Sequence, residues 1–307
     1  MNAIGSDRNY GCRIKTDLIY KGYAAVIMEN EVFRLTMLPG KGSDVVELLY
    51  KPSDTDFIWF TQLGLRRKEP IFADYQSQYQ GGWQEIFPSL SADHNHEGMN
   101  MPRYGEAALV EWAYDVVQDD PEAIGVRFSY TCRTMPLRLE KTITMKSGDA
   151  GFSISETVTN LSPAPLHADW GHHITFGEPF LQPGTVIELP AEEMPRYVTP
   201  AKGSPYEFCW FDTVTEGKYR LLRPDGIGAE VRWDKERWPC LWFWREFGGN
   251  KGGPYYGCNY NVGLEMFSSA PAHKLIDNVE KGTAIAFEPY ASHHSELHFA
   301  VIDQRAI

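Results

Sequence analysis

Along residues 31–38, Phe33, Leu35 and Met37 alternate with Arg34 and Thr36 until Pro39-Gly40 breaks the run. A period of two puts the apolar set on one face, which predicts a half-buried strand. Residues 44–50 predict a second strand after that turn. The clearest alternation is Val126, Phe128, Tyr130 and Cys132 against Arg127, Ser129, Thr131 and Arg133. Runs at 137–145 and 152–159 answer it across Ser147-Gly148-Asp149-Ala150-Gly151, a turn made of residues that tolerate positive φ, so the three predict an antiparallel meander. Further short strands are predicted at 218–222, 229–233, 239–244, 261–267, 283–287 and 295–301. Between Tyr75 and Gly105 the pattern dissolves, which predicts a long loop serving as one wall of a site. Helical periodicity does not persist beyond about three turns anywhere. With no repeat and no linker, the expected architecture is all-β, one large antiparallel β-sandwich over residues 1–307.

Composition narrows the partners. At 43% hydrophobic the chain has ample material for a large core, and 41 acidic against 29 basic residues, a formal charge of −12, disfavour nucleic acid and anionic membrane surfaces. Cys12, Cys132, Cys209, Cys240 and Cys258 are widely spaced with no Cys-x-x-Cys, as expected of free thiols in a reducing compartment. The first residues lack an apolar segment and no run approaches the ~20 residues of a membrane span, so a soluble cytoplasmic protein is expected. The 16 Tyr, 16 Phe and 9 Trp exceed what a site needs, yet aromatic rings also stack on the apolar faces of sugars.

The densest chemistry lies in Asp169-Trp170-Gly171-His172-His173-Ile174-Thr175-Phe176-Gly177. Imidazole exchanges protons near neutral pH, binds metals and forms structural hydrogen bonds, and all three uses are open to this pair. Successive strand residues face opposite sides, so one histidine at most reaches a given cleft while the other supports it or packs. Glu265, within Val262-Gly263-Leu264-Glu265-Met266-Phe267, is a carboxylate between apolar neighbours, where an anion is costly without partners. Glu288, beside Pro289, is the rival. His94 and His96 have a spacing that would put two metal ligands on one strand face, but no third or fourth ligand accompanies them, and residues 93–97 are read as a solvated loop. Neither phosphate-binding glycine motif occurs in its required context, nor does Gly-x-Ser-x-Gly, so no nucleotide cofactor is indicated.

Several stretches, in order, resemble the aldose 1-epimerase (galactose mutarotase-like) superfamily from about residue 29 to the end. Gly81-Gly82-Trp83-Gln84-Glu85-Ile86-Phe87-Pro88 resembles its Gly-Gly…Phe-Pro segment, and Pro102-Arg103-Tyr104-Gly105-Glu106 falls where the family carries His-Gly. His172-His173-Ile174-Thr175-Phe176-Gly177 is similar to its His-x-x-Phe stretch, and Gly263-Leu264-Glu265 to the segment with the catalytic glutamate. Phe287-Glu288-Pro289-Tyr290 then fills a later turn, which favours Glu265 over Glu288. The resemblance implies the mutarotase supersandwich, interconversion of sugar anomers, Glu265 as base and His173 as acid, and neither metal nor cofactor. It also implies a monosaccharide or sugar derivative held by residues among Tyr104, Arg103, Trp83, Gln84, His172, Trp170, Trp244 and Arg245, with Trp242 a further stacking candidate. Tyr104 departs from the family's histidine. Two alternatives therefore stay open: a non-catalytic carbohydrate-binding protein on the same fold, and a lyase or hydrolase using Glu85 or Asp169 as a second acid.

Overall fold

The alternating run near residue 126 becomes the strand Ala123–Thr131, with Val126 and Phe128 fully buried, and it pairs in register with Leu137–Lys146, which pairs with Gly151–Asn160. The expected meander is the heart of a nine-stranded antiparallel sheet ordered Arg196–Val198, Val186–Glu188, Lys218–Leu222, Ile227–Trp233, Ser292–Asp303, Gly151–Asn160, Leu137–Lys146, Ala123–Thr131 and Ala113–Asp119. This computed structural model describes residues 8–65, 70–72, 74–96, 98–271 and 273–305, without the side chains of residues 93–95.

The second large sheet is ten-stranded. Its path runs Arg13–Tyr20, Tyr23–Glu29, Phe33–Leu38, Asp44–Tyr50, Trp83–Ile86, Gly171–Gly177, Asn261–Phe267, Cys240–Phe247 and Ser204–Phe211, with Thr55–Asp56 beside Asp44–Tyr50. Apolar side chains from the two sheets meet between them. Phe33 of the ten-stranded sheet lies 6.2 Å from Phe152 and 5.7 Å from Phe299 of the other, ring centre to ring centre. Each such buried ring contributes about 1.5–3 kcal/mol by leaving water. The result is an antiparallel β-sandwich, as the alternation predicts.

Residues 75–105 are not the expected loop. They form a short helix, Tyr75–Gln78, the strand Trp83–Ile86 in mid-sheet, and a hairpin of Asp93–His96 with Met99–Met101. All four residues of Trp83–Ile86 are buried, so its two faces are equally covered and alternation is lost. The hairpin also replaces the solvated loop expected at residues 93–97. His96 is buried, while Glu97 lies outside the described residues. A second helix, Leu275–Lys281, is too short to leave a periodic signature. No helix among the described residues is long and apolar enough to cross a membrane.

Candidate functional site

Strand parity settles the double histidine. On Gly171–Gly177, His172 turns into the space between the sheets and His173 toward the opposite face. On that outer face His173 stands opposite Gln84, Glu265 opposite Trp242, and Trp242 opposite Trp210. One row across five adjacent strands thus sets the two sequence-predicted catalytic residues side by side, His173 Nε2 being 3.2 Å from Glu265 Oε1.

Glu265 can lean toward His173 because of Gly263. A methyl group there would lie 2.4 Å from Glu265 Oε1 and 3.2 Å from the Trp244 ring. Gly263→Ala is therefore expected to push the carboxyl out of position and lower kcat/KM for the anomer exchange that the resemblance implies by roughly 10²-fold, the cost of about 1 Å of misplacement. Its melting temperature, measured alongside the exchange rate, should stay close to that of the parent.

Above the pair lies a cavity of about 450 Å³ walled by Tyr75, Tyr79, Tyr104, Trp242, Trp244 and Tyr255. Tyr75 and Tyr79 come from the short helix and its C-cap, at a spacing that places both on one side. The Tyr79 hydroxyl contacts Thr175 Oγ1 and lies 3.4 Å from His173 Nδ1, with the two rings 4.9 Å apart. Tyr75 donates to Gln84 Oε1 at 2.6 Å, and Gln84 Nε2 donates to Asp44 Oδ2 at 2.8 Å. Asp44 also accepts from Lys41 Nζ and Gln80 Nε2, so a buried polar chain fixes the cavity wall from behind. Tyr104 sits at φ +60°, a conformation costly for a tyrosine and retained mostly where the surroundings enforce it. The next residue enforces it: a side chain at Gly105 (φ +66°) would lie 2.1 Å from the Phe87 carbonyl oxygen. This kink brings the Tyr104 ring 4.5 Å from Tyr75 and 6.5 Å from His173, with the Arg103 guanidinium 5.0 Å over it.

Burial controls the protonation of the pair. Loss of solvent lowers His173 to about 3 and raises Glu265 well above the ordinary carboxylate range. Both shifts favour uncharged groups, and one shared proton serves either arrangement: carboxylic acid with imidazole, or carboxylate with imidazolium. The two states differ only by a proton transfer along the 3.2 Å contact.

Of the substrate-binding expectations, Arg103, Tyr104 and Trp244 line the cavity with His173 and Glu265, as does Trp242. Five others need correction. Trp83, His172 and Arg245 occupy the opposite strand parity and point away from it. Trp83 Nε1 donates to His172 Nδ1 at 3.0 Å, while Arg245 pairs with Glu207 and lies over Tyr197 and Phe243. Trp170 precedes its strand and donates its indole N–H inward to Glu85. Gln84 has the right parity but spends its amide on Tyr75 and Asp44, which makes it a support of the wall. Sequence reasoning missed Tyr75, Tyr79, Tyr206, Phe208 and Tyr255. The i, i+4 tyrosines beside a capping Asp74 are the one local signal that could have marked part of this set.

Glu85 and Asp169, the second acids of the lyase alternative, do not face the cleft. Asp169 is held by Ser269 and Asn278 at 2.8 Å each. Glu85 belongs to a cluster behind the sheet in which ligand-type atoms of Glu85, Glu156 and His172 lie within 4.8 Å of one another. Three such ligands suit a metal, but both ring nitrogens of His172 and both oxygens of Glu85 already have partners, and only Glu156 Oε1 has none. His172 Nε2 lies 3.0 Å from Glu156, Trp83 fills Nδ1, and Lys141 Nζ stands 3.5 Å from Glu85. The ammonium supplies the positive charge there.

Comparison with known proteins agrees with this architecture. A family described only as a domain of unknown function, DUF4432, matches residues 110–208. No curated protein matches the sequence. A Klebsiella pneumoniae structure named as a candidate aldose 1-epimerase superposes with a TM-score of 0.75 at 15% identity, covering 96% of this chain and 84% of its own. A Clostridium acetobutylicum galactose mutarotase-like protein gives 0.67 at 12% identity over 96% of this chain and 99% of its own, and a Synechocystis protein 0.68 at 17% over 94% and 100%. At such identities the likeness is one of fold, and the fold is that of the galactose mutarotase-like proteins.

Proposed function

We propose that the protein interconverts the α and β anomers of a reducing sugar by acid–base ring opening. The observation that carries this reading is the His173–Glu265 pair, 3.2 Å apart on the floor of an aromatic cavity. A sugar entering there exposes hydroxyls to the pair and C–H faces to the surrounding rings. Glu265, as carboxylate, takes the proton of the anomeric hydroxyl, and His173, as imidazolium, gives one to the ring oxygen. The C1–ring oxygen bond breaks, C1 turns about its bond to C2, and reclosure with the roles reversed yields the other anomer. Protons balance without any outside donor, since the pair ends each cycle as it began. Tyr104 and Arg103, at the mouth, are the groups available to hold hydroxyls where the family carries a histidine.

Exchange between anomers, measured by saturation-transfer NMR over a panel of reducing sugars, tests the reading. Calorimetric binding with no exchange above the spontaneous rate would instead make this a sugar-binding protein. The pH profile is expected to be distinctive. The acid limb requires protonating His173 while Glu265 already holds a proton, so it falls near pH 3. The basic limb requires removing the last proton from a carboxyl whose affinity for it is raised. Thus kcat/KM should be flat through pH 6.5, where an ordinary histidine titrates. An inflection there would contradict the shared-proton arrangement.

A further inference from the structure

The edge strand Ser204–Phe211 carries Tyr206, Phe208 and Trp210 on one face, all exposed. Such an apolar row is unusual on a sheet edge facing solvent. It does not end at the cavity already described. Tyr206 and Phe208 line that cavity, whereas Trp210, its ring 6.2 Å from that of Phe208, lines a second one of about 680 Å³. Register ties the two together. Trp210 pairs with Trp242 and Trp242 with Glu265, so Trp210 stands two strand spacings, about 10 Å, from the carboxyl in the same row.

Polar groups lie in and behind the lining of the second cavity. Three buried atoms without a hydrogen-bond partner belong to residues that line it: Arg237 Nε, His273 Nδ1 and Asn278 Oδ1. Asn278 is fully buried, and its amide nitrogen is already committed to Asp169, which fixes its oxygen as an acceptor. Lys281 meets His273 Nε2 at 2.8 Å, which leaves His273 Nδ1 as a donor. Arg237 gives one N–H to His293 at 2.8 Å and keeps Nε–H free. Asp212 and Glu236 face the same space as Arg237 and Lys281, so positive and negative groups offset one another. Charged side chains of both signs in near balance, beside an exposed indole, fit a neutral polyhydroxylated ring better than a simple anion.

We infer that this cavity is a second sugar subsite, and that the substrate class is a reducing disaccharide or longer oligosaccharide. Its free anomeric carbon lies at His173 and Glu265, and its next ring lies over Phe208 and Trp210. This rests on the anomer-exchange reading for the first ring only; the second ring is a matter of binding.

Titration calorimetry of the intact protein with glucose and with maltose, cellobiose and lactose, which all end in glucose, tests it, alongside galactose and mannose with disaccharides ending in each. At least one disaccharide should bind about tenfold more tightly than its reducing-end sugar, a usual scale for one well-placed aromatic contact. Trp210→Ala, at an exposed position, should remove that gain and leave the monosaccharide Kd unchanged. Arg237→Gln should reduce the gain independently. No gain for any disaccharide, or a gain that survives both substitutions, overturns the subsite. The two readings fail separately. Trp210-dependent binding without anomer exchange keeps the subsite and removes the reaction, whereas monosaccharide exchange without any disaccharide gain does the reverse.

Discussion

Glu265→Gln should lose anomer exchange by about 10²–10⁴-fold, the usual contribution of a positioned acid–base group. The amide matches the carboxyl in shape and can still hydrogen-bond His173, so the cavity should keep its form and its affinity for sugar. Glutamine cannot take the anomeric proton at any accessible pH, and this one deficit accounts for the loss. His173→Ala should lose a comparable factor, and the double variant little more, because two groups that share a single proton act as a unit. Stability should move the other way. Burying Glu265 in apolar surroundings costs free energy that the amide does not incur, so Glu265→Gln should melt at the same temperature as the parent or higher. An inactive variant that also melts early would mean that Glu265 holds the fold together.

Lys141→Met should produce the largest loss of stability, with a size that depends on pH. Lys141 is the ammonium of the cluster behind the site, 3.5 Å from Glu85, with its side chain 5% exposed and that of Glu85 fully buried. Its ammonium also lies over the Trp112 ring, 4.9 Å from the ring centre, where a methionine sulfur can still meet the ring. Burial raises Glu85 to about 8 and Glu156 to about 7 from an ordinary 4.5. A raised carboxyl keeps its proton in the fold after the unfolded chain has lost it. Its contribution is therefore fully present below pH 4.5 and disappears as pH rises through about 7 to 8. In the parent, Lys141 softens that loss by attracting the charge that forms. Without it, the deficit should be small near pH 5 and reach about 3–5 kcal/mol above pH 8, the cost of a buried charge stripped of its partner. Thermal melts at the two pH values should then differ by roughly 10 °C more in the variant than in the parent. A uniform loss at both would point to packing alone.

How much of this was legible in the sequence follows from which faces of each strand are covered. Residues 126–132 lie on a sheet with one face inward and one toward water, and they alternate accordingly. Trp83–Ile86 is sealed on both sides, by Trp83 and Glu85 inward and by Gln84 under the cavity wall, so no period survives. Its two polar side chains resemble a loop in sequence because their partners, Asp44, Tyr75, Trp170 and Lys141, are remote along the chain. The pairing of His173 with Glu265 could be expected because parity forces a choice between His172 and His173, and the order of motifs favours Glu265. Parity also bounds what could be expected of neighbours: Trp244 and Arg245, or Trp83 and Gln84, cannot share a face, and in each pair the structure turns one away. The aromatic wall was hidden for another reason. Tyr75, Tyr104, Phe208 and Tyr255 meet only through tertiary contact, and the kink that aims Tyr104 depends on the nearness of Gly105 to the Phe87 carbonyl.

The most direct measurement is exchange spectroscopy on sugars labelled with ¹³C at C1, mono- and disaccharides alike, with cross-peaks between the α and β signals recorded at one temperature for buffer, parent protein and Glu265→Gln. The expected result is a cross-peak growth rate well above that of buffer for at least one sugar with the parent, falling back to within a few-fold of buffer with Glu265→Gln. Exchange at the buffer rate for every sugar that binds, or parent-like exchange in the variant, would contradict the acid–base role of the His173–Glu265 pair.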